Sequence, residues 1–245
     1  MPYFLFEKSL EIGREYTITG EEAHHIAQVR RARVGEYIIL QGSDELRFRA
    51  CVLSVSRHSL TVKVAEKIEV PPEPTFSITL YQALTSEQPL DYILQKSTEL
   101  GVSRVVLFHS AYSPYRFEGD RLRKKIERWG KILQEAAKQS ERVRPPELAW
   151  QNDFEGVLAQ VREEHICVLD ETGAETFNTL AKKQKNISSL SLLVGPEGGF
   201  SKEELIELRA LRNATIIKMG PRVLRAETAV TAAVAIAQAL FGDFQ

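Results

Sequence analysis

Apolar and polar residues alternate along short segments of the first 70 residues of the chain. The alternating segments are EYTIT, EYIILQG, FRACVLSVS and SLTVKVAEKIEV, with turn residues between them. A period of two places the apolar side chains on one face of a strand, so this part predicts a small β-barrel or sandwich. A short helix is predicted over EEAHHIAQV, because Gly20 suits a cap and Glu21 and Glu22 suit a helix amino terminus.

The segment Pro71-Pro72-Glu73-Pro74 ends this pattern, since three prolines in four residues favour an extended linker. We therefore predict two domains, residues 1–73 and 74–245. Beyond the linker, apolar strands alternate with amphipathic helices, which indicates an α/β domain whose mostly parallel sheet is covered on both faces. The predicted strands are FSITLYQAL, VSRVVLFHS, HICVLD, LSLLVG and ATIIKM, and the predicted helices are DYILQKSTEL, GDRLRKKIERWGKILQEAAKQS, KEELIELRAL and AETAVTAAVAIAQAL.

The composition favours a cytoplasmic protein. No apolar run is long enough to span a membrane, and MPYFLFEKSLEIG lacks the features of a signal peptide. Cys51 and Cys167 lie far apart in apolar segments, which predicts buried reduced thiols. The five histidines have no metal-ligand spacing, so no metal is expected.

The net charge of −1 argues against a general polyanion binder, but basic residues cluster locally. Nine Lys or Arg residues and three Glu residues lie between Arg121 and Arg144, and Arg30, Arg31 and Arg33 form a second cluster. Such clusters fit a selective nucleic-acid partner. For either cluster alone, a solvated helix face or a basic turn is the simpler interpretation.

Two predicted strands near the carboxyl terminus each end in a Gly-Pro turn that leads into a helix. The first loop runs from Gly195 to Ser201 and contains Gly198 and Gly199; Ser201 and Glu204 have the spacing of a capping box. In an open α/β sheet, ligands bind at the carboxyl ends of parallel strands. A ligand site and a tight turn without a ligand both remain open for this loop.

The second loop runs from Gly220 to Thr228 and contains Arg222, Arg225 and Glu227. Its arginines could hold phosphates or a carbonyl oxygen, and Thr228 could bind backbone or ligand. Glu227 would also suit the helix dipole, or pair with Arg225. The following helix is rich in alanine and uncharged from Thr228 to Leu240, which predicts burial in the core or in a subunit interface.

Several common enzyme classes lack support. The chain has neither a G-x-x-x-x-G-K-[ST] phosphate loop nor a G-x-G-x-x-G dinucleotide motif that opens a βαβ unit. It also has no G-x-S-x-G nucleophile elbow.

With LLVGPEGGFSKEE and MGPRVLRAETA as the strongest motifs, the chain resembles the bacterial uridine-N3 methyltransferases of small-subunit (16S) ribosomal RNA, the RsmE-type members of the SPOUT class. Weaker support comes from HHIAQVRRARVGE, QKSTELGVSRV and EAAKQSERVRPPEL. The resemblance implies a PUA-like β-barrel followed by a SPOUT domain with a parallel sheet and a carboxyl-terminal trefoil knot. It also implies a homodimer that uses S-adenosyl-L-methionine and acts on ribosomal RNA of the small subunit.

The resemblance also assigns residues. The cofactor pocket would contain Leu169, Gly195, Glu197, Gly198, Met219, Gly220, Val223, Leu224 and Arg225, to which we add Thr228. The RNA-facing residues would be His24, His25, Arg30, Arg31, Arg33 and Arg116. We predict that Arg225 stabilises negative charge on the uracil oxygens and that Glu227, or a water that it holds, accepts the N3 proton.

The chain departs from the family pattern at three places. Ser86-Glu87-Gln88-Pro89 stands where a lysine, a glycine and an acidic residue are usual, and Glu141 replaces a glycine. Tyr112-Ser113-Pro114-Tyr115-Arg116 replaces a basic loop that contains serine. Three alternatives remain: an RNA-binding or assembly protein without catalysis, a methyltransferase of the same class with another RNA or atom as target, and a nucleotide-dependent oxidoreductase.

Overall fold

Eleven strands and seven helices are present in the computed structural model, which describes residues 3–24, 26–27, 31–56, 58–70, 73–161, 163–184 and 187–244, without the side chain of Glu21. The strands are β1 Tyr3–Leu5, β2 Glu15–Thr19, β3 Tyr37–Gln41, β4 Arg47–Val55, β5 Ser59–Ile68, β6 Ser77–Ala83, β7 Arg104–Phe108, β8 Glu147–Gln151, β9 His165–Leu169, β10 Ser189–Val194 and β11 Ala214–Ile217. The helices are α1 Gly20–His24, α2 Glu87–Glu99, α3 Gly119–Gln139, α4 Phe154–Gln160, α5 Phe177–Lys183, α6 Lys202–Ala210 and α7 Ala226–Phe241.

The first five strands form one sheet in the order β1-β3-β4-β5-β2. β1 pairs with β3 in parallel, and the other neighbours are antiparallel. Alternate side chains of these strands fill a core of their own, with Ile38, Leu40, Leu60 and Val62 all fully buried. The predicted small β unit at the amino terminus is therefore confirmed.

The chain divides into two compact units, one from Met1–Pro72 with Ala137–Arg144 and the other from Glu73–Ala136 with Pro145–Gln245. The segment after α3 joins the first unit because its carbonyls accept side-chain hydrogen bonds there. The Tyr3 hydroxyl donates to the Arg142 carbonyl at 2.8 Å, and Gln41 Nε2 donates to the Val143 carbonyl at 2.7 Å. The division into domains 1–73 and 74–245 stays a prediction.

Glu141 lies in the turn after α3 in a left-handed backbone conformation, with φ at 59°. Glycine adopts that conformation without the steric cost that a Cβ atom brings. The glycine that the family resemblance leads us to expect here would have a local backbone reason, and Glu141 adopts this conformation despite its Cβ atom.

The second unit contains a six-stranded parallel sheet in the order β11-β9-β10-β6-β7-β8, as the α/β prediction requires. One core cluster joins one face of the sheet to α2, α3, α5 and α7, and a second joins the other face to α4 and α6. Ile78 and Leu80 point to the first face, and Tyr81 and Ala83 point to the second. The strands are apolar on both faces because helices cover both.

Several short elements were not predicted: β1, β8, α4 and α5. Each of the two helices has only seven residues, too few for an apolar period to stand out, although side chains cap both. Asp153 accepts the N–H of Gly156 in α4, and Thr176 accepts that of Thr179 in α5. The predicted first helix over EEAHHIAQV is confirmed in α1, residues 26–27 are also helical, and positions 25 and 28–29 lie outside the described residues.

The two cysteines are free but differ in burial. Cys167 in β9 is buried, and burial raises the pKa of its thiol to about 12. Cys51 in β4 is only half-buried, so the prediction of two buried thiols is wrong for this residue.

Candidate active site

Three strands end at one edge of the parallel sheet, and both glycine-proline loops begin there. Val194 pairs with Leu169, and Leu169 pairs with Ile217, so β9 lies between β10 and β11. The loops that follow β10 and β11 therefore leave the sheet on either side of the end of β9. All three side chains belong to the core cluster on the α7 side of the sheet. The structure thus brings Leu169, Gly195 and Met219 to one edge.

The glycines of the first loop are required for different structural reasons. Gly199 has a φ of +72°, and its N–H donates to the Pro196 carbonyl at 2.9 Å. A Cβ atom on Gly195 would lie 2.9 Å from the Gly199 carbonyl carbon, closer than real Cβ atoms come to another atom. A tight turn therefore explains Gly195 and Gly199. It does not explain Gly198, whose exposed backbone has no positive φ and borders Tyr112.

A buried amide holds the start of this loop against the neighbouring strand. Gln82, near the end of β6, is fully buried and pairs with Val194 in the sheet register. Its Nε2 atom donates to the Ala83 carbonyl at 2.7 Å and to the Gly195 carbonyl at 3.3 Å. Gln82 stabilises the position of Gly195, and the sequence analysis did not identify it because a single Gln in an apolar strand carries no motif.

Glu197 connects the first loop to the amino terminus of α2. Its Oε1 atom accepts the backbone N–H of Ser86, the N-cap residue of α2, at 2.8 Å. Burial alone would raise the pKa of Glu197, but hydrogen bonds from Ser86 and from its own backbone outweigh burial and leave the pKa below its ordinary value. Glu197 is therefore a carboxylate at neutral pH, and it holds two loops together.

Glu204 is the central polar residue of this region, and it is buried. Within its own helix it completes the predicted capping box: Ser201 N–H donates to Oε2 at 2.8 Å, and the Ser201 hydroxyl accepts the Glu204 N–H at 3.1 Å. The same carboxylate accepts the Ser110 hydroxyl at 3.0 Å and the Ala111 N–H at 2.9 Å. Glu204 thus fixes the loop after β7 beside the loop after β10.

His109 fixes the other end of the loop after β7. Its Nδ1 atom lies 3.1 Å from the Asn152 carbonyl, and its Nε2 atom accepts the Phe117 N–H at 3.1 Å. A carbonyl needs a donor and an N–H needs an acceptor, so the ring is neutral with its proton on Nδ1. Burial is the main cause that lowers the pKa of His109, and this agrees with the neutral ring.

Most residues of the second loop are exposed, although two of its apolar side chains are half-buried. Gly220 has a φ of +87°, Val223 is 83% exposed, and Met219 and Leu224 are half-buried. Arg225 is the exposed N-cap residue of α7, and its side chain makes no capping bond. Two further predicted residues follow in the first turn of α7. Glu227 is half-buried there and Thr228 is exposed, while the Thr231 hydroxyl donates to the Glu227 carbonyl at 2.7 Å.

The predicted RNA-facing residues that can be placed are exposed: His24 at the end of α1, Arg31, Arg33, and Arg116 in the other unit. His25 and Arg30 lie outside the described residues. Arg31 has a φ of 55°. The Arg116 guanidinium also donates to the Ser110 carbonyl at 3.3 Å, so part of its role is to stabilise the loop after β7.

Much of the basic cluster at 121–144 forms ion pairs with acidic residues of the chain. The pairs are Arg123 with Asp120, Lys125 with Glu87, Arg128 with Asp91, Lys138 with Glu22, and Arg144 with Glu45. Two of them join α3 to α2, next to Ser86-Pro89 at the start of α2. Because these basic side chains are paired within the protein, the cluster is better interpreted as a solvated helix face than as a nucleic-acid site.

Within the described parts of the chain, no group of three or more His, Cys, Asp or Glu residues is arranged to hold a metal ion. No described helix combines the length and the apolar character needed to cross a membrane.

Comparison with known families matches the chain to two models. Residues 71–238 match an RNA methyltransferase domain, and residues 18–65 match an RNA methyltransferase PUA domain. The ribosomal RNA small subunit methyltransferase E of Bacillus subtilis is 31% identical over 92% of this chain and 90% of its own length. The protein of the same name from Mycobacterium tuberculosis is 32% identical over 91% of this chain and 86% of its own length.

Two solved structures are similar to this chain over almost its full length. The ribosomal RNA small subunit methyltransferase E of Neisseria gonorrhoeae, bound to S-adenosyl methionine, superposes with a TM-score of 0.89 at 28% identity over 100% of both chains. A Legionella pneumophila protein in complex with the bound cofactor SAM also has a TM-score of 0.89, with 28% identity and coverage of 98% of each chain.

Proposed function

The chain belongs to this family of RNA methyltransferases, and we propose that it transfers a methyl group from S-adenosyl-L-methionine to N3 of a uridine in 16S ribosomal RNA. The observation that carries the proposal is the position of the two glycine-proline loops on either side of the end of β9. Because the proposed substrate is ribosomal RNA, we also propose that the protein acts in the cytoplasm.

The residues at this edge fit a cofactor with an apolar adenine and a polar tail. Val223 is an apolar side chain that packs on little of the protein, and the half-buried Met219 and Leu224 lie in the same loop. Apolar side chains with few packing partners are suited to cover a ligand's apolar face. The exposed backbone at Gly198 and the buried Leu169 would line the other side, with Gly195, Glu197 and Gly220 shaping the loops. Thr228 is exposed and available to a polar group.

The sulfonium group of this cofactor supplies an activated methyl group when it is bound. The protein must then hold the uracil in line, accept the N3 proton and stabilise the negative charge that spreads to the uracil oxygens. We assign charge stabilisation to Arg225, whose exposed guanidinium stands at the amino terminus of α7. We assign proton acceptance to Glu227, directly or through a water, in the first turn of the same helix.

We also propose the carboxyl-terminal trefoil knot. The Lys218 N–H donates to the Glu175 carbonyl at 2.9 Å, and Glu175 bridges to Ile217, so the segment after β9 lies against the end of β11. After β11 has passed the segment that follows β9, the chain forms α7. This helix packs against α2 and α5. Threading of the carboxyl terminus through the loop after β9 would produce this arrangement.

We propose a homodimer that covers the outer face of α7. The core of the single chain does not bury all of α7, because Thr228, Ile236 and Ala239 are exposed, so of the two predicted kinds of burial this face favours a subunit interface. This face has no charged residue between Thr228 and Leu240. An uncharged exposed helix face of small and apolar residues suits burial against a second copy. We further propose that His24, His25, Arg30, Arg31 and Arg33 contact RNA in the first unit, together with Arg116 in the second.

The direct test measures methyl transfer. Purified protein, isotopically labelled S-adenosylmethionine and small ribosomal subunits from a strain that lacks the gene should yield labelled 16S RNA. Mass spectrometry of the digested RNA should identify 3-methyluridine. Label in another nucleotide would change the target assignment. Failure of calorimetry to detect binding of S-adenosylmethionine would instead favour an RNA-binding protein without catalysis.

A further inference from the structure

The loop after β7 carries an aromatic ring that the proposed reaction has not yet used. Tyr112 is 56% exposed, and each of the other described tyrosines is less exposed. We propose that Tyr112 is the surface on which the target uracil stacks while its N3 atom is methylated. This inference rests on the proposed function and deepens it, because it names the residue that positions the base.

The position of Tyr112 is the first support. A Cβ atom placed on Gly198 would lie 3.2 Å from the Cβ atom of Tyr112, so Tyr112 borders the loop after β10. Gly198 is the glycine that the tight turn does not explain. A side chain at position 198 would press against the Cβ atom of Tyr112 and displace it. Glycine at this position therefore allows the Tyr112 ring to stay next to the proposed cofactor loop.

The rigidity of the Tyr112 backbone is the second support. On one side of Tyr112, Ala111 N–H donates to Glu204 at 2.9 Å. On the other side, the Ser113 hydroxyl accepts the Ser110 N–H at 3.0 Å, and the Ser113 N–H donates to the Ser110 carbonyl at 3.2 Å. A ring on a backbone that is held from both sides loses little further entropy when a base binds.

The neighbouring tyrosine is engaged within the protein. Tyr115 is 45% exposed, but its ring stacks on Phe117 with centroids 5.9 Å apart and planes 25° apart. Among the described residues, Tyr112 has no ring partner of this kind. One face of Tyr112 can therefore receive a planar group without breaking an existing aromatic pair.

The chemistry of the reaction requires such a surface. N3 of uracil lies on the pairing edge, so the base must be unpaired or flipped out before it can be methylated. Enzymes that extrude a base offset the lost stacking with aromatic side chains. A stacked uracil keeps its pairing edge free, so N3 stays accessible to the methyl donor and to Glu227, the assigned proton acceptor.

The test compares Tyr112→Ala with Tyr112→Phe and with the control Tyr92→Ala, which removes a similarly exposed tyrosine from α2. When the aromatic ring is removed, the stacking of one base is lost, and kcat/KM for the RNA substrate should fall by about 5- to 150-fold. We expect this loss for Tyr112→Ala only. The Phe variant should stay close to the wild type, since it keeps the ring. The dissociation constant of S-adenosylmethionine, measured by calorimetry, should be the same in all four proteins.

A photochemical measurement gives a second readout that does not depend on turnover. RNA with 5-iodouridine at the target position should cross-link to the peptide that contains Tyr112. Unchanged kcat/KM in Tyr112→Ala, equal defects in the Ala and Phe variants, or cross-links that bypass Tyr112 would each overturn the inference while wild-type methylation stands. A wild-type protein that methylates no RNA would overturn the proposed function itself, and this inference with it.

Discussion

The carboxylate of Glu204 accepts the backbone N–H of Ala111 at 2.9 Å and joins the loop after β7 to the helix after β10. The two residues are 93 positions apart in the chain. Because Glu204 also caps its own helix, one buried carboxylate determines the position of two loops at the candidate active site.

Replacement of Glu204 by Ala should lower the free energy of unfolding. The change leaves the Ala111 N–H and the Ser110 hydroxyl without their acceptor, and an unpaired buried polar group costs about 1–3 kcal/mol. Urea denaturation of the variant measures the loss. The matched control is Glu207→Ala on the exposed side of the same helix, which should change stability by no more than about 0.5 kcal/mol. Equal stabilities of the two variants would contradict this role of Glu204.

The hydrogen bond between Glu197 and Ser86 predicts a pH dependence in the acid range. The pKa of Glu197 is lower in the folded protein than its ordinary value of 4.5, so its carboxylate stabilises the fold above that pH. This contribution is lost as the pH falls through the lowered pKa. The difference in thermal stability between the wild type and Glu197→Gln should therefore be present at neutral pH and shrink in strong acid. A difference that is the same at both pH values would argue against the ionised hydrogen bond.

Protonation of His109 should weaken the fold at mildly acidic pH. The folded pKa lies below the ordinary 6.5, so the unfolded chain binds the proton first and stability falls as the pH drops below that value. The physical reason is that the Phe117 N–H needs the unprotonated Nε2 atom. Denaturation between about pH 7.5 and about pH 5.5 should show this slope in the wild type and a smaller one in His109→Gln. An NMR titration of the ring that gives a pKa above 6.5 would contradict the lowered pKa and the stability slope derived from it.

Arg225→Ala should remove most methyl transfer and leave the fold intact. Loss of a group that stabilises charge in the transition state lowers kcat by about 100- to 1,000-fold. The side chain is exposed and makes no capping bond, so the unfolding temperature should stay close to that of the wild type. Arg212→Ala, at an exposed position before β11, is the control and should keep full activity. An active Arg225→Ala protein would exclude this residue from the mechanism.

The exposed arginines of the first unit should determine the salt dependence of RNA binding. Each phosphate contact adds about one unit to the slope of log K against log salt concentration, so Arg31→Ala with Arg33→Ala should lower that slope by about 1.5–2. Filter binding at several salt concentrations measures the slope. Arg14→Ala is the control, because Arg14 pairs with Glu11 at 3.0 Å. A double variant with the wild-type slope would place the RNA on another surface.

The fold class followed from sequence periodicity wherever an element was long enough to show a period. The alternation in SLTVKVAEKIEV predicted β5, and the apolar side of GDRLRKKIERWGKILQEAAKQS predicted α3, because these patterns depend only on backbone geometry. The seven-residue helices α4 and α5 were not predicted. Each helix has fewer than two full turns and buries only two residues, which is too few to show a helical period.

Local sequence patterns were enough to predict the two glycine-proline loops, the capping box of Ser201 and Glu204, and the family to which the chain belongs, because each of these depends on residues that are close together in the chain. The three-dimensional packing was needed to show that β9 lies between the two loops, that Glu204 also accepts a hydrogen bond from Ala111, and that Gln82 donates to the Gly195 carbonyl. Those contacts join residues that are 93 and 113 positions apart, and such distant pairs meet only when the strands take their order in the sheet. Strand order is a property of the packed sheet as a whole, and no local pattern of residues encodes it.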